Sequence, residues 1–307
     1  MLAFCARHGR LIIVLGLAAG ILLPSLAAVM KPYLPQIVAI TLFLAALRIG
    51  PRQALGNIRD LRDVIGLIGI YQIAVPLLFV LLLPFTGLSP ILVTAITLMA
   101  AAPSISGTPN ITIMVGHDPA PALRMLITGT AAVPVTAFVV FLFVPTFGSA
   151  YDVAISAFRL LVLIGAAASI AFLLRILVFK QATANFTTSV DGLSAIAMAA
   201  IVIGLMTAIS PALDSDPMQV VYTLTIAFIA SFGLQIAAFY LLPKSQRGGT
   251  RVGHSIVSGC RNNALFIAAL PESVTDSLLL YIGCYQIPMY LTPLLLNWFY
   301  QREPAEN

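Results

Sequence analysis

Ten apolar windows fill almost the whole chain, at residues 11–30, 35–48, 62–83, 90–116, 121–145, 154–178, 188–209, 217–242, 252–270 and 274–298. Each is close to the ~20 residues that an α-helix needs to cross bilayer hydrocarbon, the second being short. Only 9% of the residues are charged, whereas a water-soluble domain carries about 25%, so the outer surface is expected to face lipid. Backbone groups in lipid must be satisfied within their own segment, which makes the spans helices. Low charge and long runs argue against β-barrel strands. Prolines and glycines punctuate the joints, at Pro32 and Pro35, Pro84 with Gly87, Pro145 with Gly148, Pro211, Pro243 with Gly248 and Gly249, and Pro271. The expected fold class is an all-α membrane protein with ten transmembrane helices.

Loop charge supports that count. With the N-terminus inside, the cytoplasmic side receives Arg7, Arg10, Arg48, Arg52, Arg59, Arg62, Arg124, Arg175, Lys180, Lys244, Arg247, Arg251 and Arg302. Lys31 and Arg159 fall outside, and Arg261 lies within a span. A 13-to-2 split is a positive-inside signal that places both termini in the cytoplasm. The acidic Asp152, Asp214, Asp216, Glu272 and Asp276 are assigned to the outer side. The stretch after Arg7 and Arg10 also has the form of a signal peptide, with cleavage near Ala27 as the alternative reading. The following spans, and the length of the first, favour a membrane-spanning segment. A net charge of +5, dispersed among apolar spans, gives no nucleic-acid face. Three cysteines and three histidines make no metal-ligand spacing.

Ten spans divide five and five, so residues 1–150 and 151–307 are expected to enter the membrane as inverted repeats. Two polar, helix-breaking stretches support the duplication. Pro103-Ser104-Ile105-Ser106-Gly107-Thr108-Pro109-Asn110 interrupts the fourth span, and Ser255-Ile256-Val257-Ser258-Gly259-Cys260-Arg261-Asn262-Asn263 the ninth. Asn110 and Asn262 are 152 residues apart, and Pro134 and Pro288 are 154 apart. Paired interruptions in two halves point to a transporter's binding site. Around Ser106, Thr108 and Asn110, freed carbonyls and hydroxyls suit a cation or a polar ligand group; a packed kink with hydroxyls bonded back to their own helix is the plainer reading.

Arg261 is the most informative single residue, because a charge within the bilayer is costly and normally faces a cavity or a partner. Three partners compete: an anionic substrate, Asp191, or carbonyls of the fourth span. The plainer reading is a misplaced span with the guanidinium reaching headgroups. Gln72, one turn before Pro76, is a buried polar candidate or a simple interhelical bond. Gln235 and Gln286 read as interhelical bonds, Thr128 and Thr130 as close-packing hydroxyls, and His117-Asp118 as a solvated loop pair. His254 is placed at a basic cytoplasmic edge.

The chain resembles the bile acid:sodium symporter family over nearly its whole length. Gly20-Ile21-Leu22-Leu23-Pro24-Ser25-Leu26, Lys31-Pro32 and Leu42 to Arg48 look like that family's opening. Tyr71-Gln72-Ile73-Ala74-Val75-Pro76 looks like its third helix, Ala101 to Asn110 is similar to its first crossover, and Gly259 to Ala264 fits the skeleton of its Glu-x-Gly-x-Gln-Asn motif. The resemblance implies ten helices in a panel and a core domain each drawing on both halves, broken helices four and nine crossing at mid-membrane, sodium-driven uptake of organic anions, and two sodium ions near the crossing. With Gly259 and Asn262 aligned, the family's glutamate falls on Val257 and its glutamine on Arg261, while Gln72, Asn110, Thr128 and Thr130 are retained. At ~5 Å and an effective dielectric of ~20, the added charge repels sodium by about 3 kcal/mol. Arg261 is therefore expected to stand in for at least one ion, leaving a degenerate ion site at Gln72, Asn110, Thr128, Thr130, Val257 and Arg261.

The expected substrate site is Ser106, Thr108, Asn110, Arg261, Asn262, Asn263 and Gln286, the last being the nearest match to the family's polar pair in its final helix. The leading functional expectation is secondary transport of a small organic anion across the cytoplasmic membrane, with no cofactor other than sodium. A non-transporting membrane sensor or scaffold is the alternative, and a membrane enzyme lacks a nucleophile–base or metal constellation.

Overall fold

The computed structural model describes residues 1–51, 61–243 and 249–303, apart from the side chains of residue 10, residues 61–63 and residue 249. The basic loop residues Arg52, Arg59, Lys244 and Arg247, the side chains of Arg10 and Arg62, and the terminal residues 304–307 lie outside the described residues. Among the described residues the chain is helical, and its one extended pairing is an isolated antiparallel bridge between Ser104 and Arg261.

In chain order the helices are α1 (Leu2–Arg7), α2 (Gly9–Leu22), α3 (Pro24–Ile49), α4 (Val64–Thr86), α5 (Pro90–Ala101), α6 (Thr108–Met114) and α7 (Ala120–Phe141). There follow α8 (Ala150–Leu177), α9 (Ala184–Ser215), α10 (Pro217–Leu241), α11 (Gly249–Gly259), α12 (Ala264–Ile267), α13 (Glu272–Leu295) and α14 (Asn297–Tyr300). Seven of them, α3, α4, α7, α8, α9, α10 and α13, are long and apolar enough to cross a bilayer. This is a multi-pass membrane protein. Leu11–Leu22 and Pro90–Ala101 are shorter apolar helices.

The first two windows are divided differently from the sequence expectation. The helix breaks at Leu23, not at Pro32 and Pro35, which lie inside α3. Pro24 occupies the first turn of its helix, where a missing N–H costs nothing. Pro32 and Pro35 sit at the starts of the short tight turn Lys31–Tyr33 and of the helix Leu34–Ile49, so the rod continues through both.

The chain forms two compact units, each drawing on both halves of the sequence. One comprises Met1–Arg59, Ile155–Pro217 and Ala264–Gly283. Here α9 packs along α2 and α3. Gly20 makes the approach possible, since a Cβ there would meet Met206 Cβ at 2.8 Å; small residues are what let membrane helices come this close. Hydroxyls fasten the contact: Thr207 donates to the Ala27 carbonyl at 3.2 Å and Ser210 to the Ile21 carbonyl at 2.5 Å. Lys31–Asp276 and Arg48–Asp191 are ion pairs at 2.8 Å on its surface.

The second unit comprises Asp60–Ala154, Met218–Asn263 and Cys284–Asn307. Its apolar cluster joins Val64, Ile68 and Tyr71 of α4 to Ala122 and Met125 of α7, Ala238 of α10 and Val257 of α11. Pro76 cannot supply an N–H to the Gln72 carbonyl, and α4 widens into a π-turn over Ile70–Ala74. This turn directs the buried Gln72 to α7, where its amide donates to the Gly129 carbonyl at 3.2 Å and accepts from Thr136 at 2.9 Å.

Three residues expected in a loop or at the cytoplasmic edge are interior. His117 is buried and its Nε2 lies 3.2 Å from the Tyr300 carbonyl, while Asp118 stays exposed and accepts from the Ala120 N–H. His254 and Arg251 are buried on α11, and Arg251 pairs with Glu303 at 3.3 Å. Their places near the ends of apolar windows suggested loops; α11 instead begins at Gly249 and carries both inward.

Candidate functional site

Two helices of the second unit stop short and meet at their gaps. The α5 helix ends when Ala102 turns extended, at ψ 151°, ahead of Pro103, the conformation toward which a following proline biases its neighbour. The α11 helix ends at Gly259, where a Cβ would drive into the Ser231 carbonyl and the Gln235 side chain of α10. Across the gap the strands run antiparallel. The Ile105 N–H donates to the Cys260 carbonyl at 3.1 Å, and the Asn262 N–H to the Pro103 carbonyl at 2.8 Å.

Interrupting a helix leaves carbonyls at its C-terminal end without partners, and Arg261 takes one from each helix. Its Nη1 donates to the Ala102 carbonyl at 3.1 Å and its Nε to the Ser258 carbonyl at 2.9 Å. The side chain is 2% exposed, and among the described residues no carboxylate lies within ion-pairing distance. Asp191 is held by Arg48 instead. Each helix C-terminus carries roughly −0.5 of an elementary charge, so the two together supply about one unit opposite the guanidinium. Of the three sequence readings, bonding to carbonyls beside the fourth span is the one the geometry realises. Tyr71 completes the setting, its ring centroid 5.2 Å from the guanidinium carbon.

Further side chains close the broken end of α11. The Tyr285 hydroxyl accepts from the Arg261 N–H at 3.0 Å and donates to the Gly259 carbonyl at 2.5 Å, and Ser231 donates to the same carbonyl at 2.9 Å. Sequence reasoning passed over both. The signal available was Cys284-Tyr285-Gln286, a polar triplet in an apolar run.

The remaining candidates divide. Thr108 is fully buried, donates to the Ile105 carbonyl at 2.7 Å and bonds Ser104, so its hydroxyl closes the gap's own turn. Ser106 and Asn262 are half-buried beside the gap, and Ser106 is engaged. Asn263 is 1% exposed, and among the described residues neither its amide oxygen nor its amide nitrogen has a partner. Gln286 is buried and engaged in α13. Asn110 is exposed on α6, and Thr128 and Thr130 are half-buried on α7. Gln72 is spent on Gly129 and Thr136, and Val257 belongs to the apolar cluster. A hard cation such as sodium takes oxygen ligands, commonly with carboxylates among them. At the crossing, Val257 contributes none and the Ala102 and Ser258 carbonyls already hold a guanidinium. Among the described residues no cluster of histidine, cysteine or carboxylate side chains suited to a metal is present.

Comparison with protein-family models and with curated proteins finds no match for this chain.

Proposed function

We propose that the chain is a secondary transporter of a small organic anion across the cytoplasmic membrane, folded as ten transmembrane helices in two inverted five-helix repeats with both termini cytoplasmic. The observation that carries this reading is the meeting of two interrupted helices inside one unit, held by a buried arginine that has no carboxylate partner among the described residues. Unwound backbone at membrane depth is tolerated only where protein or a water-filled cavity encloses it, and paired discontinuous helices are how secondary transporters build their sites. The repeat has a second support. Gln72 on α4 bonds Thr136 on α7, and Gln235 on α10 bonds Thr292 on α13 at 3.1 Å. These are the third and fifth spans of each proposed half, with a proline, Pro134 or Pro288, inside each fifth span.

In this reading Arg261 is a resident cation. It occupies the carbonyls at the two helix ends that a coupling ion would otherwise use, so transport at this site proceeds without sodium. An anionic solute meets no carboxylate at the crossing, and the orphaned amide of Asn263, with Asn262 beside it, supplies donor and acceptor groups for it. Leaving a buried amide unpaired costs about 1–3 kcal/mol, which a bound polar solute recovers.

The test is a thermal-shift screen of small organic anions on the purified protein, followed by proteoliposome uptake of those that stabilise it. Saturable uptake that is unchanged when potassium replaces sodium is the expected result. Absence of saturable flux for every stabilising anion would favour a membrane sensor or scaffold.

A further inference from the structure

The first unit holds a groove of about 760 Å³ where the C-terminal ends of α3 and α8 meet the start of α9. Its lining changes character along its length. Phe43, Leu47 and Leu193 are apolar and belong to helices that cross the bilayer, whereas Lys180, Asn185 and Ser189 gather around the α8–α9 connection. Helix ends of spanning segments lie at the headgroup level, so the apolar part faces acyl chains and the polar part faces headgroups.

The charge at the polar end is positive and unclaimed. Lys180 is exposed and makes no ion pair among the described residues. Arg175, near the end of α8, has no carboxylate partner among the described residues: it donates to the Phe179 carbonyl at 2.6 Å and stands 5.2 Å over the Phe186 ring. Its Nε is buried with no acceptor. The neighbouring Asp191 is already neutralised by Arg48. Phe179 and Phe186, with ring centroids 4.7 Å apart, both line the groove and fix the arginine beside it. A greasy trough ending in one free lysine, one under-satisfied arginine and two neutral hydrogen-bonding side chains complements a molecule with an apolar tail and an anionic head.

We propose that this groove binds one anionic glycerophospholipid, its acyl chain along Phe43, Leu47 and Leu193 and its phosphate against Lys180, with Asn185 and Ser189 as further hydrogen-bonding groups. Basic pockets between membrane helices recognise anionic headgroups through this combination of charge and apolar wall. The site is separate from the helix crossing and does not depend on what the protein carries.

The experiment is native mass spectrometry of the full chain, delipidated in detergent and titrated with phosphatidylglycerol or phosphatidylcholine of identical acyl chains. The wild type is expected to retain phosphatidylglycerol about fivefold better, equivalent to ~1 kcal/mol at 1.4 kcal/mol per tenfold. Lys180→Gln, an exposed change, should abolish the preference, and Ser189→Trp, which fills the groove, should reduce retention of both lipids. Arg159→Gln, an exposed charge elsewhere on α8, should leave the preference intact. Equal retention of the two lipids by the wild type, or a preference that survives Lys180→Gln, would overturn the proposal.

Discussion

Two buried arginines mark the two ends of α11, and they are neutralised in opposite ways. Arg251 meets a carboxylate, Glu303, at 3.3 Å, and lies 4.0 Å over the Phe239 ring while its Nε bonds the Phe239 carbonyl. Among the described residues the Arg261 guanidinium meets the carbonyls of Ala102 and Ser258 and the Tyr71 ring, with no carboxylate partner. The first is a closed ion pair that ties the chain's last described residue to α11, so its charge is used up in holding the fold. The second is balanced by the backbone dipoles of two interrupted helices. Those dipoles exist because the helices are interrupted, and the arginine and the break are therefore one device. A buried charge answered by a carboxylate is architecture; a buried charge answered by broken helices is where we place function.

Substitutions that separate these roles rank by size. Arg261→Met keeps side-chain bulk but strands two carbonyls, at about 1–3 kcal/mol each. The melting temperature should fall, and uptake of an identified anion should drop about 100-fold or more, equivalent to ~3 kcal/mol. Arg261→Lys restores the charge without the planar fork that reaches both carbonyls, so it should recover stability only in part. Unaltered uptake by Arg261→Met would erase the distinction drawn above. Glu303→Gln leaves the Arg251 charge unpaired and should cost about 3 kcal/mol of stability, with little change in uptake per folded molecule. A specific loss of uptake there would make both arginines functional. Thr136→Val removes the donor to Gln72 and should cost about 0.6–1 kcal/mol, the range for hydrogen bonds between membrane helices. Asp191→Asn breaks only the exposed pair with Arg48, and a change in melting temperature corresponding to about 0.5 kcal/mol or less is expected.

Much of this contrast was legible in the residues, though unevenly. A lone arginine inside an apolar run, flanked by glycine and asparagines, announces itself because charge in lipid is rare. Its partners do not, since carbonyls belong to every residue and the two that matter come from positions 102 and 258, joined only when the gaps meet. Tyr285 and Ser231 escaped notice for a related reason: one hydroxyl in an apolar helix looks like core until a helix end needs capping. His117 reads as a loop residue, and Arg251 and His254 as a cytoplasmic edge, because window edges mimic loops; the partner of Arg251 is Glu303, three residues beyond α14. The misplaced first break follows from taking Pro32 and Pro35, which fall at the joint between two apolar windows, as stops. Pro24, Pro32 and Pro35 have the same chemistry, yet only Leu23, before the first of them, leaves the helix, with φ −122° and ψ 74°.

The claim that Arg261 is a resident cation is tested most directly by sodium itself, with no substrate needed. The purified protein and the double variant Val257→Glu with Arg261→Gln are melted in sodium and in potassium at equal ionic strength. The wild type should show no sodium-specific shift, whereas the variant, gaining a carboxylate and losing the fixed charge, should be stabilised by sodium, by about 2.7 kcal/mol once the ion is at 100 times its Kd. A saturable, sodium-specific stabilisation of the wild type would contradict the account, because the carbonyls assigned to the guanidinium would then be serving an ion.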